Sequence, residues 1–258
     1  ETVELLADLI RFPSVNRRPY GDELECQRYV ASVLERMGLE IDLFRPDGIP
    51  AIEQHPGWCS GSDFTDRPNV VGTRRGVGSG RGLLLLAHVD VVPEGPHEHW
   101  RHGPFTPTIE DDALVGRGSN DDKGGLAAMI MALACVEAAG YRVRGDVILA
   151  SVVDEESGGA NGTLAVLHRP HLADGAVYCD GLDLDLHTAN LGGVNARIEL
   201  QLEPTSAGGK IDGVMPVAMA VYDGVQQFAS ERTAEIRIHP LYAETVWPDY
   251  AVRITYLQ

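Results

Sequence analysis

Four short segments of the chain carry carboxylate or imidazole groups at the ends of apolar, strand-like runs or in the loops just after them. The first is Ala87-His88-Val89-Asp90. Positions two apart on a strand face the same way, so Asp90 can stand behind His88 and orient or polarise its ring, as carboxylates do for metal-bound histidines. The second runs Gly116-Arg117-Gly118-Ser119-Asn120-Asp121-Asp122-Lys123-Gly124-Gly125. The third is Val153-Asp154-Glu155-Glu156-Ser157-Gly158-Gly159, and the fourth Val177-Tyr178-Cys179-Asp180-Gly181. Taken singly, a His-x-Asp is ordinarily a surface pair and an Asp-Glu-Glu a solvated turn. Together they follow strands that should converge on one rim, and sites in open α/β sheets form just outside the carboxyl ends of the strands. Carboxylates gathered there cannot all stay ionised without a cation between them. One imidazole with several carboxylates suits zinc, cobalt or manganese, and a donor set without thiolates argues against a structural zinc knot.

The elements that must position these groups are legible as alternating helix and strand signals. Residues 2–11 place Val3, Leu6, Leu9 and Ile10 on one helical face and stop before Phe12-Pro13, as a residue preceding proline should. Residues 22–37 repeat the pattern with Tyr29, Val30, Val33, Leu34 and Met37, and Gly38 is a natural stop. Residues 69–73 and 83–89 read as strands, the second apolar at successive positions and so buried on both faces. Residues 123–139, apolar almost all round, predict a buried helix; 146–153 a central strand; 161–168 a short helix; 176–179 another strand. This alternation implies a three-layer α/β fold. Beyond about Thr188 the texture changes: an alternating strand at 195–202, a Gly-rich bend, an amphipathic helix at 214–229 and a final strand at 251–256. Two domains are expected, 1–187 and 188–258, the second a partial α+β unit.

Charge and composition narrow the function. With 21 Lys+Arg against 38 Asp+Glu the 258-residue chain carries −17, which repels phosphate and argues against nucleic acid and against anionic membrane surfaces. The longest apolar run, Leu126–Val136, has 11 residues, short of the roughly 18–20 that a membrane span requires. Cys26, Cys59, Cys135 and Cys179 lie far apart with no Cys-x-x-Cys pair and read as mostly buried free thiols in a reducing, cytoplasmic compartment.

Three other signals are set aside. The glycine-rich stretch 76–82 resembles a phosphate loop, but no helix follows it, so it reads as a flexible hairpin connection. His97, His99 and His102 cluster around Glu98 without forming His-Glu-x-x-His, and Pro93 and Pro96 argue for a solvated loop. No Gly-x-Ser-x-Gly nucleophile elbow occurs.

The order and spacing of the four segments resemble the binuclear zinc family of aminoacylase, acetylornithine deacetylase, succinyl-diaminopimelate desuccinylase and glutamate carboxypeptidase. Residues 85–93 look like its first metal motif, and Trp100, Pro104 and Phe105 like its spacer. Gly116-Arg117-Gly118 with Asp121 to Gly125 looks like the second motif, and Asp154-Glu155-Glu156 like the third. The resemblance covers about residues 1–240. It implies that Asp121 bridges two zinc ions, that His88 and Asp180 complete one ion's ligands, and that Glu156 binds the other. Glu155 would be the general base and Asp90 the carboxylate behind the histidine. A cis peptide between Asp121 and Asp122 is also implied. The implied reaction is hydrolysis of an amide, either N-deacylation of an amino acid or removal of a terminal residue from a short peptide, in a protein that dimerises through its lid domain.

The sequence departs from that family in two places. The last histidine ligand of the second metal comes from a C-terminal region beyond residue 258, so the chain reads as an incomplete stretch of a longer protein. The lid's carbonyl-holding histidine falls where Ser206 stands, and a serine donates a hydrogen bond but carries no positive charge. Two alternatives remain open at this point: an aminopeptidase of the related co-catalytic zinc class, and an inactive binding or assembly module.

Overall fold

The computed structural model describes residues 1–158, 161–170, 173–180, 198–200 and 214–238. Its elements, in chain order, are α1 (Thr2–Arg11), β1 (Asn16–Arg17), β2 (Tyr20–Gly21), α2 (Leu24–Arg36), β3 (Glu40–Phe44), β4 (Asn69–Arg74) and β5 (Leu83–His88). There follow β6 (Thr108–Glu110), β7 (Ala113–Val115), α3 (Lys123–Ala138), β8 (Val147–Val152), α4 (Asn161–Leu167), β9 (Gly175–Tyr178) and α5 (Val214–Arg237). The chain divides into two units, Glu1–Asp185 and Leu186–Gln258.

The first unit is built on a five-stranded mixed sheet of order β3-β4-β8-β5-β9. Strands β3, β4 and β8 pair antiparallel, whereas β5 runs parallel to both β8 and β9. Helices cover both faces. On one, Leu5 and Leu9 of α1, Val30 and Leu34 of α2, and Leu126, Ile130 and Leu133 of α3 pack on Val70, Ala87 and Leu149. On the other, Val166 of α4 packs with Val71, Leu84, Leu86, Ile148 and Val152. Burial of this apolar surface, at about 25 cal/mol per Å², is the main force holding the layers together. The fold class expected from the sequence is the one observed.

Several local expectations need correction. The glycine-rich connection 76–82 is not a hairpin: β8 lies between β4 and β5, and the loop packs on the segment entering β8, with Val77 N–H donating to Val143 O (3.0 Å) and Gly78 N–H to Arg144 O (3.0 Å). Helix α3 is buried on one side only, because it forms an outer layer; Val136 near its end is 40% exposed. All four cysteines are free, but only Cys26 is buried, and Cys135 is exposed. Of the strand expected at 195–202, residues 198–200 have no regular structure and the others lie outside the described residues. Helix α5 runs eight residues beyond its expected end, to Arg237. Ser206 and the expected strand 251–256 lie outside the described residues. Among the described residues no helix is long and apolar enough to cross a membrane.

Candidate metal centre

The carboxyl ends of β5, β8 and β9 lie side by side, and that edge collects the groups singled out in the sequence. His88 is the last residue of β5 and pairs in register with Val152, two residues before Asp154. Asp180 follows β9 by two residues. Asp121 and Asp122 sit in the loop between β7 and α3, joined by a cis peptide. Asp122 stands at the N-terminus of α3, and its Oδ2 accepts the His88 backbone N–H at 3.0 Å, tying the helix to the strand end.

His88, Asp121 and Asp180 each offer one donor atom within 4.8 Å of the others, His88 buried and both carboxylates exposed. Nε2 of His88 lies 2.8 Å from Asp121 Oδ1 and 3.9 Å from both Asp180 Oδ2 and Glu155 Oε2. Glu156 is outside this cluster; its Oε1 accepts the Val92 N–H at 3.1 Å. It shares with Asp121 a depression of about 270 Å³, lined also by Val92, Arg117 and Asn120.

Asp90 faces the His88 ring and has further partners. The His88 Nδ1 partner is the Asp90 backbone carbonyl, at 2.8 Å, with the carboxylate at 3.6 Å. That carboxylate, fully buried, instead accepts the backbone N–H of Glu155 (3.2 Å) and of Glu156 (3.1 Å) and the Asn16 amide (2.7 Å). The Asp90 carboxylate thus holds the backbone N–H groups of the acidic pair while it faces the histidine. A strand register places one side chain behind another, but a loop 65 residues away is not readable from it.

The electrostatics are those of a crowded acidic site. Burial alone would lower the His88 pKa, but hydrogen bonds to Asp121 and Asp90 and the surrounding charge drive it up to about 11. Burial, joined by repulsion from Asp180 and Asp121, pushes Asp122 up to about 8. Burial, then Asp121, pushes Glu156 up to about 7, and burial also raises Glu155 and Asp180. Asp122 Oδ1 is buried without a hydrogen-bond partner. One imidazole and converging carboxylate oxygens fit a divalent cation.

Sequence reasoning named Lys123 and Gly125 only as motif members, and Asn69 only as the start of a strand, without the contacts by which they build the site. Lys123 is fully buried, and its ammonium donates to Leu9 O (3.0 Å) and Phe12 O (2.5 Å) at the end of α1, so the first residue of α3 fastens two helices beneath the centre. Asn69 accepts the Val153 N–H at 3.1 Å and donates to Gly162 O at 2.8 Å, bracing the strand end before the acidic pair. Gly125 faces the Cys179 carbonyl and Asp122; a Cβ there would lie 2.1 Å from the former oxygen and 2.2 Å from the Asp122 carboxylate.

Fold and donor set define a class, an α/β protein with a carboxylate-rich cluster that could hold a metal ion. Peptidase family M20/M25/M40 matches residues 84–252, so the chain belongs to that family of metal-dependent hydrolases. It is 35% identical over 196 residues to the N-formyl-4-amino-5-aminomethyl-2-methylpyrimidine deformylase of Bacillus subtilis, covering 75% of this chain and 41% of that protein. It is also 35% identical over 167 residues to the succinyl-diaminopimelate desuccinylase of Alkalilimnicola ehrlichii, covering 65% and 38%. The chain therefore spans about two fifths of the length of these curated relatives. The M20 family metallo-carboxypeptidase Sso-CP2 from Sulfolobus solfataricus shares the fold, with a TM-score of 0.56 at 24% identity over 70% of this chain and 37% of that one.

Proposed function

We propose that the chain carries the metal-binding and proton-transfer groups of a zinc-dependent amidohydrolase that removes a small acyl group from nitrogen. His88, Asp121 and Asp180 would hold one ion, and Glu156 the other, with Asp121 shared because it belongs to both the three-donor cluster and the depression around Glu156. Bound there, zinc supplies a Lewis acid for the amide carbonyl and lowers the pKa of water. Glu155 stands beside the donors without belonging to their cluster, 3.9 Å from His88 Nε2, and burial raises its pKa. That single arrangement, a carboxylate at the centre yet uncommitted to it, carries the reading. Glu155 takes the proton of the attacking water and returns it to the leaving amine. Asp90 keeps Glu155 and Glu156 in place through their backbone N–H groups.

Deacylation is favoured over peptide cleavage because the two curated relatives described above are named for loss of an acyl group, formyl in one and succinyl in the other. Small N-acylated amines or amino acids are the substrates of this reading. The four free cysteines support a reducing, cytoplasmic setting. The test is hydrolysis of N-formyl, N-acetyl and N-succinyl amines by the zinc-loaded protein and its Glu155→Gln variant. The variant should lose on the order of 10²–10⁴ in rate at unchanged zinc content. Full activity in Glu155→Gln would refute the mechanism.

A further inference from the structure

Asp154 immediately precedes the Glu155–Glu156 pair, and its backbone is left-handed, with φ +66°. A non-glycine residue holds that conformation where its surroundings over-determine it. Here they do. The carboxylate is 2% exposed; Oδ1 accepts the Ser62 hydroxyl at 3.0 Å and lies 3.4 Å from Arg67 Nη2, while Oδ2 accepts the Asn161 amide at 2.9 Å. Arg67, fully buried, is itself gripped by Glu23, with Nε to Oε2 at 2.9 Å and Nη2 to Oε1 at 2.6 Å. Asn161 opens α4 and exchanges two hydrogen bonds with the Cys59 backbone, at 2.9 and 2.8 Å. Two segments distant in sequence, the 59–67 loop and the start of α4, thus converge on the Asp154 side chain, and Glu23 at the start of α2 holds Arg67 from behind. From the other side, Asp90 accepts the N–H groups of Glu155 and Glu156.

Such a buried charge cluster adds little net stability, since desolvation offsets most of the attraction and apolar residues of similar volume would serve as well. What it does fix is direction. We infer that Glu23, Ser62, Arg67 and Asn161 form a latch that acts through Asp154 to aim Glu155 and Glu156 at the metal centre, with Arg67 as its principal positioning residue. The roles of Glu155 and Glu156 rest on the function proposed above. The latch itself rests on the hydrogen bonds around Asp154. None of the four residues belongs to the metal-donor cluster; Ser62, Arg67 and Asn161 meet Asp154 directly, and Glu23 acts through Arg67.

The test uses the full chain with Ser62→Ala, which removes one hydrogen bond to Asp154, and with Arg67→Lys and Arg67→Met. In the metal-free protein, amide exchange at Glu155 and Glu156 should speed up about tenfold or more in Ser62→Ala while the amides of β5 and β8 keep wild-type rates. Zinc titration should show the equivalent that depends on Glu156 weakened about tenfold, as for other groups that orient metal ligands, with the His88 equivalent unchanged. Arg67→Lys, which keeps the charge, should recover part of what Arg67→Met loses. Unchanged exchange at 155 and 156 in all three variants overturns the latch. So does a uniform rise across β5 and β8, the mark of a merely structural role. A wild-type chain that takes up no zinc contradicts the proposed function, and the exchange measurement then still decides the latch.

Discussion

Replacing Asp90 by alanine tests how much of the site depends on one carboxylate. It is 0% exposed and accepts three hydrogen bonds, from Asn16 Nδ2 and from the N–H groups of Glu155 and Glu156, at 2.7 to 3.2 Å. A hydrogen bond to a charged group is worth about 1.5–3 kcal/mol, so the three sum to a gross loss of roughly 4.5–9 kcal/mol. Removing the carboxylate also removes its own desolvation cost, which brings the expected net loss to about 3–5 kcal/mol, the range for breaking a buried charged group from its partners. His88 also loses the neighbouring charge that helps hold its pKa near 11. Urea unfolding of the metal-free variant, followed by circular dichroism, should show a lower midpoint at unchanged slope. Asp90→Asn should fall between the two, since its oxygen replaces only part of the acceptor set. A midpoint for Asp90→Ala that corresponds to a loss below about 1 kcal/mol would refute the assignment of Asp90 as the anchor of the acidic pair.

Other consequences can be checked in the same protein. Gly125→Ala sets a Cβ 2.1 Å from the Cys179 carbonyl oxygen and 2.2 Å from the Asp122 carboxylate, and such overpacking should cost about 1–3 kcal/mol in urea unfolding and weaken zinc uptake; wild-type values for both would contradict the packing. Burial outweighs Arg67 and pushes Glu23 up to about 7 from an ordinary 4.5. The folded state therefore holds that proton more tightly than the unfolded one, so this contribution is complete below about 4.5 and is lost as pH rises through about 7. The stability of wild type relative to Glu23→Gln should accordingly decline across that window and level off above it; a difference that grows with pH would show the opposite sign. Glu155→Gln should separate turnover from metal content, as described above.

The central scaffold was legible because its signal is local. The runs at 83–88 and 147–152 are apolar at successive positions, and a strand buried on both faces has no other simple reading. The first and third acidic segments were legible for the same reason, since they end or follow these two runs, whereas the second follows the short, mostly exposed strand β7 and the fourth the exposed strand β9. Strand β3 escaped notice because it is an edge strand whose residues are all partly or fully exposed. The β6–β7 hairpin turns on Asp111 and Asp112, both with positive φ, where glycine or asparagine would have announced the turn. Helix α3 looked buried all round because periodicity reports polarity, whereas its layer position decides which face meets solvent. The residues bracing the site were the least visible. Asn16 meets Asp90 across 74 positions and Arg67 meets Glu23 across 44, and nothing in the local sequence of an asparagine or arginine names a partner so far away.

His88, Asp121 and Asp180 form the proposed metal centre, and zinc titration of the metal-free protein beside its His88→Ala variant tests that directly. Wild type should bind zinc with release of protons, because the His88 ring is protonated near neutral pH in the metal-free protein. His88→Ala should lose that binding while keeping its fold by circular dichroism. Equal zinc uptake by the two proteins, or none by either, would contradict the claim.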